Sequence, residues 1–527
     1  MGSGASHSSG DWAFPDSMRN LRSGLLGVLA CDLARTGGFR VNPGSYASLP
    51  ERFFARVAPT PVAEPGLVKF NHALAADLNL SAAALDAHAL GRLFSGNALP
   101  PGAVPIAMAY AGHQFGHFVP QLGDGRAILL GEMRDRSGVR RDIQLKGCGR
   151  TPYSRSGDGR AALGPVLREY LVSEAMHALG VPATRALAAV TSGEPVRREA
   201  ILPGAILTRV AASHVRVGSF EYFAARGDVS AIQILADYVI QRHYAHLARS
   251  KTPYLALLAE VISRQASLIA GWMHVGFIHG VMNTDNMAVS GETIDFGPCA
   301  FVDAFDPAAV FSSIDERGRY AYANQPHAAA WNLARFAETL LPIIDSDQGR
   351  AIELAGEVLS AFTAQFADRW LAGMRRKLGL FAEEEADRAL ADDLLAAMHR
   401  NQADFTLTFR GLCAGAAEPS DETRVRRLFG NASDYDHWAQ RWRARLARES
   451  TPPTARVEAM RQANPAYIPR NHRVEQMIGA AVERGDFAPF EELLAVLSQP
   501  YQEQPAFAAY ADPPQPNERV LQTFCGT

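Results

Sequence analysis

Apolar and polar positions follow two different patterns along the chain. Between residues 127 and 211, short runs that are apolar throughout or at every second position predict β-strands. These strands are expected at 127–131, 142–146, 185–190, 196–202 and 205–211. From Ser219 onward, apolar residues recur at intervals of three and four, which is the helical period. The chain is therefore predicted to contain a strand-rich region followed by a helical region.

One helix is expected inside the strand-rich region, at 163–179, and several follow it. The later helices are expected at 231–247, 253–275, 326–344, 350–378 and 383–401. Ahead of the strands, 67–78 and 81–93 also have a helical pattern, while Ser192-Gly193 predicts a turn between two strands. Residues 1–44 are weakly organised, with a Gly/Ser run at the start and one short helical pattern at 21–33.

Two short polar segments interrupt the apolar pattern near the start of the helical region. The first ends in Asp285-Asn286, and the second is Ile-Asp-Phe-Gly, with Asp295 as its acid. Carboxylate and amide oxygens suit Mg²⁺ or Mn²⁺, which bind one or two carboxylates together with substrate phosphates. An Asn followed by the Asp of D-F-G is also the order of the metal ligands in protein kinases. The alternative is an Asx turn at Asp285-Asn286 and a capping role for Asp295.

The first segment departs from the kinase pattern at the catalytic base. When His279 to Asn286 is laid over H-R-D-x-x-x-x-N, Val281 takes the place of the base, and valine cannot accept a proton. An acid is present at Asp285, in a different position. The segment therefore predicts a site for metal and nucleotide phosphates that does not transfer the γ-phosphate with the usual geometry.

Basic residues on the predicted strands are candidates for binding phosphate. Lys146 ends a strand on its polar face, as the V-A-I-K lysine does in kinases, and Glu169 in the following helix is its candidate partner. Glu174 is the rival acid on another helix face. Arg209 and Arg216 have side chains suited to phosphate oxygens. The alternative for all three basic residues is an ordinary surface position.

Two other patterns are less specific. Gly123-Asp-Gly-Arg126 and its repeat at 157–160 predict tight turns whose backbone N–H groups can approach phosphate, although such turns are also common in hairpins. His113 and His117 have metal-ligand spacing if they lie on a helix, but two glycines weaken that helix. We therefore expect a packed or hydrogen-bonded histidine pair.

Together these patterns predict an α+β, two-lobed protein-kinase-like fold. The expected divisions are a weakly ordered segment at 1–44, a β-rich N-lobe at 45–218 and a mostly helical C-lobe at 219–470, followed by a C-terminal extension and tail at 471–527. The N-lobe carries the nucleotide-binding strands and an αC-like helix, and the C-lobe begins with the metal and catalytic loops.

Composition limits the function classes. The 527-residue chain is 47% apolar, with a formal net charge of −3, which gives no electrostatic reason to expect binding to nucleic acid or to a membrane. No apolar run approaches the roughly 18 residues of a membrane span. The five cysteines are far apart, so neither a zinc site nor a disulfide framework is indicated. We expect a cytoplasmic enzyme.

Several motifs together resemble the selenoprotein O family of protein adenylyltransferases, kinase-fold proteins once classed as pseudokinases. The resemblance extends from Tyr46 to the end of the chain. It is carried by Ala111-Gly-His-Gln-Phe-Gly, Leu122-Gly-Asp-Gly-Arg-Ala, Gln144-Leu-Lys-Gly, Thr151-Pro-Tyr-Ser-Arg, residues 280–295, and Asn464-Pro-Ala-Tyr-Ile-Pro-Arg-Asn-His-Arg473.

The resemblance implies transfer of AMP from ATP to Ser, Thr or Tyr hydroxyls of proteins, with pyrophosphate released. ATP would bind in an inverted pose, and UTP is an alternative nucleotide because some bacterial members resemble uridylyltransferases. Protein acceptors, including the enzyme itself, are the implied partners, and Mg²⁺ or Mn²⁺ is the implied cofactor.

The resemblance also implies roles for individual residues. Asp285 matches the proton acceptor, Asn286 and Asp295 match the metal ligands, and Glu169 matches the acid that pairs with lysine. The implied nucleotide and phosphate contacts are Gly123, Gly125, Arg126, Lys146, Asp158, Gly159, Arg209, Arg216 and Asp295.

Two questions stay open at this point. Cys525 takes the position of the family's C-terminal selenocysteine or cysteine, which some members tie to a cysteine after D-F-G. Here residues 301–324 contain no cysteine, and only Cys299 is near in sequence, so a solvated tail thiol is the alternative. The alternative functions are a protein or small-molecule kinase and a non-catalytic nucleotide-binding scaffold.

Overall fold

The computed structural model describes residues 39–80 and 85–524. Its main sheet contains eight strands, which pair in the order β1-β3-β6-β7-β10-β9-β2, with β8 added beside β10. All paired neighbours in this sheet are antiparallel. The strands are β1 Phe54–Arg56, β2 Gly66–Phe70, β3 Ile106–Met108, β6 Ala127–Arg134, β7 Arg140–Lys146, β8 Ala161–Ala162, β9 Arg185–Arg197 and β10 Ile201–Ala211.

Two small hairpins lie outside this sheet. One pairs β4 Gly112–Gln114 with β5 His117–Val119, and the other pairs β11 Phe277–Ile278 with β12 Ala300–Phe301. The second hairpin brackets both polar segments that the sequence singled out, residues 279–286 and 294–297. It therefore holds the two segments side by side.

The strand-rich part contains four helices, and the rest of the described chain is mainly helical. The first four are α1 His72–Asp77, α2 Ala87–Phe94, α3 Leu163–Ala178 and α4 Val217–Ala224. The later helices are α5 Val229–His243, α6 Pro253–Val275, α7 Gln325–Ile344, α8 Gln348–Leu378, α9 Asp387–Asn401, α10 Phe405–Gly415, α11 Thr423–Arg426, α12 Ala432–Leu446, α13 Pro453–Ala463, α14 Asn471–Arg484 and α15 Ala488–Leu497. The predicted strand-rich and helical regions are confirmed.

Helix α6 leads directly to the first polar segment, and its sequence explains where the helix begins and ends. Pro253 occupies its first turn, where a missing N–H group costs nothing. Gly276 ends it in the left-handed region, with φ of 74°, which favours glycine. Strand β11 begins at the next residue. The helix was expected at 253–275, and the structure agrees.

Two expectations near the start were wrong. The stretch 67–78 is not one helix, because Gly66–Phe70 pairs as a strand with β9 and only His72–Asp77 is helical. Asn71 separates the two elements by accepting a hydrogen bond from the Leu74 N–H, a helix cap. In the second helical pattern, the helix begins only at Ala87, capped by Asp86, and residues 81–84 lie outside the described part.

The turn expected at Ser192-Gly193 was also wrong. Both residues lie within β9, which continues to Arg197, and the chain reverses only between Arg197 and Ile201. Gly193 has φ of 70°, and a Cβ there would lie 2.5 Å from Glu64 Cβ. The glycine therefore permits a close approach within a strand and does not mark its end.

The C-terminal helices pack on the strand-rich region. Helices α14 and α15 bury Val474, Met477 and Phe490 against α3, where the Tyr170 and Phe490 rings meet edge to face at 5.6 Å. Earlier in the chain, Val41 is buried and Asn42 bridges to Glu132 on β6. The short helical pattern predicted at 21–33 lies outside the described residues. No helix in the described ranges is long and apolar enough to span a membrane.

Lys377, near the end of α8, is an unusual component of the helical region's core. Only 2% of the residue is exposed, and its ammonium group lies 4.3 Å from the centre of the Phe409 ring. Burial lowers the pKa of this lysine from 10.5 to about 7. Between these two values the unfolded chain binds a proton that the folded chain does not, so folding becomes more favourable as the pH rises.

We expect Lys377→Met to stabilise the protein, by on the order of 3 kcal/mol near pH 7, because methionine fills similar space without a charge to desolvate. The gain should shrink between pH 7 and pH 10. Urea unfolding midpoints at several pH values measure it, with Arg376→Met on the exposed side of the helix as the control. A gain as large at pH 10 as at pH 7 would contradict this explanation.

Candidate active site

A cavity of about 680 Å³ lies between the main sheet and the helical region. Strands β6, β7 and β10, the start of α3 and both polar segments contribute to its wall. All twelve site residues selected from the sequence line it. They are Gly123, Gly125, Arg126, Lys146, Asp158, Gly159, Glu169, Arg209, Arg216, Asp285, Asn286 and Asp295.

The strand lysine pairs with the helix acid that the sequence favoured. Lys146 Nζ at the end of β7 lies 2.7 Å from Glu169 Oε2 on α3. The rival, Glu174, instead binds Arg185 through two hydrogen bonds of 2.8 and 2.7 Å. Both glutamates are on the same helix, and the five-residue separation turns them towards different neighbours.

Asp295 is the meeting point of three cations. Its carboxylate accepts hydrogen bonds from Lys146 Nζ and Arg216 Nη1, both at 2.9 Å, and another from Arg209. Burial alone would raise the pKa of this acid, but the three cations outweigh burial and hold it well below its ordinary value. Asp295 also has φ of 65°, a left-handed conformation that costs a non-glycine residue energy. The surrounding ion pairs keep its carboxylate in place.

Arg209 and Arg216 are not surface residues, so that alternative is excluded. Arg209 is 1% exposed and Arg216 is 3% exposed. Arg209 also binds Glu169, while the guanidinium of Arg216 lies 4.7 Å from the centre of the Tyr110 ring and donates to the Asp285 carbonyl at 2.6 Å. Buried guanidinium groups need such partners to offset the loss of water.

We call Lys146, Arg209 and Arg216 the cation cluster. Two ionised acids, Glu169 and Asp295, face its three positive charges. Nearby Asp124 lies 4.0 Å from Arg216, but burial raises its pKa. All three cations line the cavity, where phosphate oxygens can pair with them.

Asp285 is in a different electrostatic setting. Its Oδ2 accepts a long hydrogen bond of 3.4 Å from Gln114, and its buried Oδ1 has no hydrogen-bond partner among the described residues. Burial raises the pKa of this carboxyl to about 7, although Arg216 pulls it down. Asp285 lines the cavity, and a carboxyl group with a pKa near 7 is suited to accepting a proton.

The β4–β5 hairpin fixes the segment that carries Asp285. The His113 N–H donates to Thr284 Oγ1 at 2.7 Å, and the Phe115 N–H donates to Asn283 Oδ1 at 3.0 Å. Glu221 on α4 binds both the His113 ring, at 2.6 Å, and the Thr284 hydroxyl. Residues 283–285 are thereby held from both sides.

The expected histidine pair does not form. His113 and His117 lie on opposite strands of the hairpin, where His113 pairs with Phe118 in the ladder. His117 is exposed, whereas His113 binds Glu221. The two glycines at 112 and 116 therefore belong to a hairpin, and the helical spacing was misleading.

The first Gly-rich turn approaches the cavity without offering its N–H groups. Those of Gly123, Asp124 and Gly125 donate to the protein's own carbonyls, at 3.1, 2.9 and 2.8 Å. Gly123 has φ of 74°, and a Cβ there would lie 2.3 Å from Tyr153 Cγ. The glycines allow the turn to pack under the loop at 151–154, so this turn does not form an N–H cradle for phosphate.

The second turn lies at the open end of the cavity. Asp158 is exposed and binds Arg198 through hydrogen bonds of 2.8 and 3.2 Å. Gly159 has φ of 71°, and a Cβ there would lie 2.2 Å from the carbonyl of Gly149. Close packing of the backbone therefore requires glycine at 159.

The metal-ligand prediction is compatible with the local geometry. Asn286 donates its side-chain N–H to the Val281 carbonyl at 2.9 Å, which turns the amide oxygen the other way. That oxygen and the Asp295 carboxylate are hard donors of the type that Mg²⁺ and Mn²⁺ take. Across the described ranges, no three His, Cys, Asp or Glu side chains form a metal site by themselves. A metal held here would need phosphate and water oxygens to complete its shell.

Comparison with known proteins decides the family. The model of the family described as protein adenylyltransferase SelO matches residues 41–498. The chain belongs to the SelO family. It is similar to the protein named protein nucleotidyltransferase YdiU of Rhizobium rhizogenes, with 64% identity over 92% of this chain and 96% of that protein. It is also similar to proteins of the same name from a Bradyrhizobium species, at 64% identity, and Rhizobium meliloti, at 63%, each over 92% of this chain and 98% of the relative.

Family membership confirms the resemblance on which the functional prediction was based, and the relatives' names carry the predicted functional class, protein nucleotidyltransferase. The C-terminal cysteine that the resemblance singled out, Cys525, lies outside the described residues. Just before it, Thr523 donates to the Pro298 carbonyl at 2.6 Å, and its own carbonyl accepts from the Ser313 N–H at 3.0 Å. Cys299 is buried.

Several residues of this SelO site escaped the sequence analysis. Tyr110, Gln114, Asp124, Glu221 and Thr284 were not selected, although each contacts a selected residue or its loop. In the motif Ala111-Gly-His-Gln-Phe-Gly, only the histidine had been considered as a functional side chain. Gly112 in this motif could have indicated a close contact with the site, because a Cβ there would lie 2.5 Å from Asp285 Oδ1.

We expect Gly112→Ala to displace the Asp285 carboxylate and to lower nucleotidyl transfer by about 10²-fold or more, the usual cost of a misplaced catalytic group. Nucleotide affinity should change little, because the cation cluster lies on other elements. Transfer rates and nucleotide dissociation constants measured together test both parts.

The matched control is Gly271→Ala in α6, where an added Cβ would meet only Val181, at 3.9 Å. Its rate should equal that of the original protein. A Gly112→Ala variant with an unchanged melting temperature and a normal transfer rate would refute the proposed role of this glycine.

Proposed function

We propose that this protein transfers AMP from ATP to serine, threonine or tyrosine hydroxyls of proteins, through a kinase-like arrangement of its strand-rich and helical regions. The observation that carries the proposal is that one cavity contains both buried cations and a carboxyl group with a raised pKa. The cation cluster lines the cavity, and so does Asp285, whose pKa is raised by burial to about 7. The first can bind phosphates, and the second can take a proton.

The depth of the cation cluster supports an inverted position of ATP. Arg209 and Arg216 are almost completely buried, whereas at the other end of the cavity Tyr153 is half-buried and Asp158 is exposed. The β- and γ-phosphates carry most of the charge of ATP, so they are most stable beside the buried cations. The nucleoside then faces the open end, and the α-phosphorus lies between the nucleoside and the buried β- and γ-phosphates. UTP carries the same triphosphate and is the alternative substrate.

In the proposed reaction, the acceptor oxygen forms a bond to the α-phosphorus while the bond to the bridging oxygen of the β-phosphate breaks. The Asp285 carboxylate takes the hydroxyl proton, and pyrophosphate leaves with its charge offset by the cation cluster. Asn286 and Asp295 would hold Mg²⁺ or Mn²⁺, which supplies charge neutralisation at the phosphates. Val281 occupies the place of a kinase base, so γ-transfer lacks its usual proton acceptor.

The origin of the transferred phosphorus tests this proposal. The protein is incubated with Mg²⁺ or Mn²⁺ and ATP labelled at either the α- or the γ-phosphorus, with protein acceptors added. We expect protein-bound label only from the α-position, and a mass increase of one AMP unit on the acceptor or on the enzyme. Label from the γ-position alone would establish a kinase, and label from neither position would favour a non-catalytic scaffold.

Asp285→Asn should lower AMP transfer by about 10²-fold or more, on the scale of losing a general base. ATP affinity should stay within about twofold, because the amide keeps the shape of the carboxylate and Arg216 binds the backbone carbonyl. Asp306→Asn, which changes a half-exposed acid outside the cavity, is the control. Equal losses of ATP affinity and turnover in Asp285→Asn would contradict the role of a proton acceptor.

A further inference from the structure

Beside the cavity, on the Asp285 side, two arginines flank one tryptophan. The guanidinium carbon of Arg319 lies 4.6 Å from the centre of the Trp331 ring, and that of Arg335 lies 5.0 Å from it. The His113 ring meets Trp331 edge-on at 5.2 Å, and the Phe118 ring lies 4.9 Å from His113. We call these five residues the aromatic–arginine patch. None of them was selected from the sequence for a catalytic role.

The patch is accessible and continuous with the cavity. Phe118 is 40% exposed, an unusual position for a large apolar side chain. Arg319 contacts the hairpin tip, since a Cβ at Gly116 would lie 3.4 Å from its guanidinium carbon. The preceding residue, Phe115, lines the cavity, and Gln114 binds Asp285. Asp285 lies beside Gly112 and Arg319 lies beside Gly116, and the four residues that separate these glycines span at most about 13 Å of extended chain.

Its charge is only partly neutralised. Arg335 pairs with Glu338, but Arg319 makes no ion pair with any residue in the described ranges. The Nε atoms of both arginines are buried, and neither has a hydrogen-bond partner there. A guanidinium stacked on an aromatic ring keeps its edge available to a carboxylate. One hydrogen bond of Arg319 goes to the Tyr320 side chain, and the rest of its partly desolvated guanidinium edge is a preformed site for an anion.

We propose that the aromatic–arginine patch binds the acceptor protein and selects acceptors with an acidic side chain two to four residues from the modified hydroxyl. Arg319 recognises this side chain by its negative charge. This inference rests on the proposed function, because the patch lies beside the proton acceptor and not beside the cation cluster. Phe118 and Trp331 provide apolar contact for the acceptor chain, and Arg319 pairs with its carboxylate.

Peptides provide the test. Each contains one Ser, Thr or Tyr, with Asp, Asn or Lys placed two to four residues away on either side, and each is incubated with metal and α-labelled ATP. We expect kcat/KM for the Asp peptides to exceed that for the Asn peptides by at least about fivefold, on the scale of one ion pair. Arg319→Ala should reduce this ratio to near one, whereas Arg319→Lys should retain part of it.

The matched control is Arg317→Ala, which removes a positive charge two residues away on the exposed side of the same segment and should leave the ratio unchanged. A general loss of structure in Arg319→Ala would lower both rates but not their ratio. Equal use of Asp and Asn peptides by the original protein, or an undiminished ratio in Arg319→Ala, would overturn the inference alone. Absence of label on every peptide and on the enzyme itself would overturn the proposed function as well.

Discussion

The site depends on one buried carboxylate, Asp295, and on the three cations that converge on it. Lys146 is at the end of β7, Arg209 is on β10 and Arg216 begins α4, so the ion pairs connect the main sheet to the loop after β11. Charges this deep are stable only when they are paired. The arrangement therefore joins the strand-rich and helical regions, and it places three cationic side chains at the wall of the cavity between them.

A second set of contacts sets the position of Asp285. The β4–β5 hairpin and α4 hold residues 283–285 through backbone and hydroxyl hydrogen bonds, while Gly112 and Gly218 let the backbone come close to Asp285. Lys146 and Arg209 lie on other elements, whereas Arg216 at the start of α4 also donates to the Asp285 carbonyl. In the proposed reaction Asp285 takes the role of the proton acceptor, which Val281 cannot fill.

The sequence predicted those elements and contacts that depend on residues close together in the chain. Helices α3 and α6 followed from apolar spacing, and the Lys146–Glu169 pair followed from strand alternation and helix position. Strand β2 was taken for part of a helix because its identity comes from pairing with β9, far away in the chain. For the same reason, the burial of Arg209 and the role of Thr284 could not be foreseen. Their partners are 86 and 63 residues distant.

The central claim is that the cation cluster holds the outer phosphates of ATP and thereby turns the α-phosphorus towards Asp285. It is tested most directly by a crystal structure of the Asp285→Asn protein with Mn²⁺ and a non-hydrolysable ATP analogue. We predict the γ-phosphate in contact with Lys146, Arg209 or Arg216, and the α-phosphorus as the phosphorus nearest to residue 285. An analogue bound the other way, with its γ-phosphorus nearest to residue 285 and its base beside the buried arginines, would contradict the account.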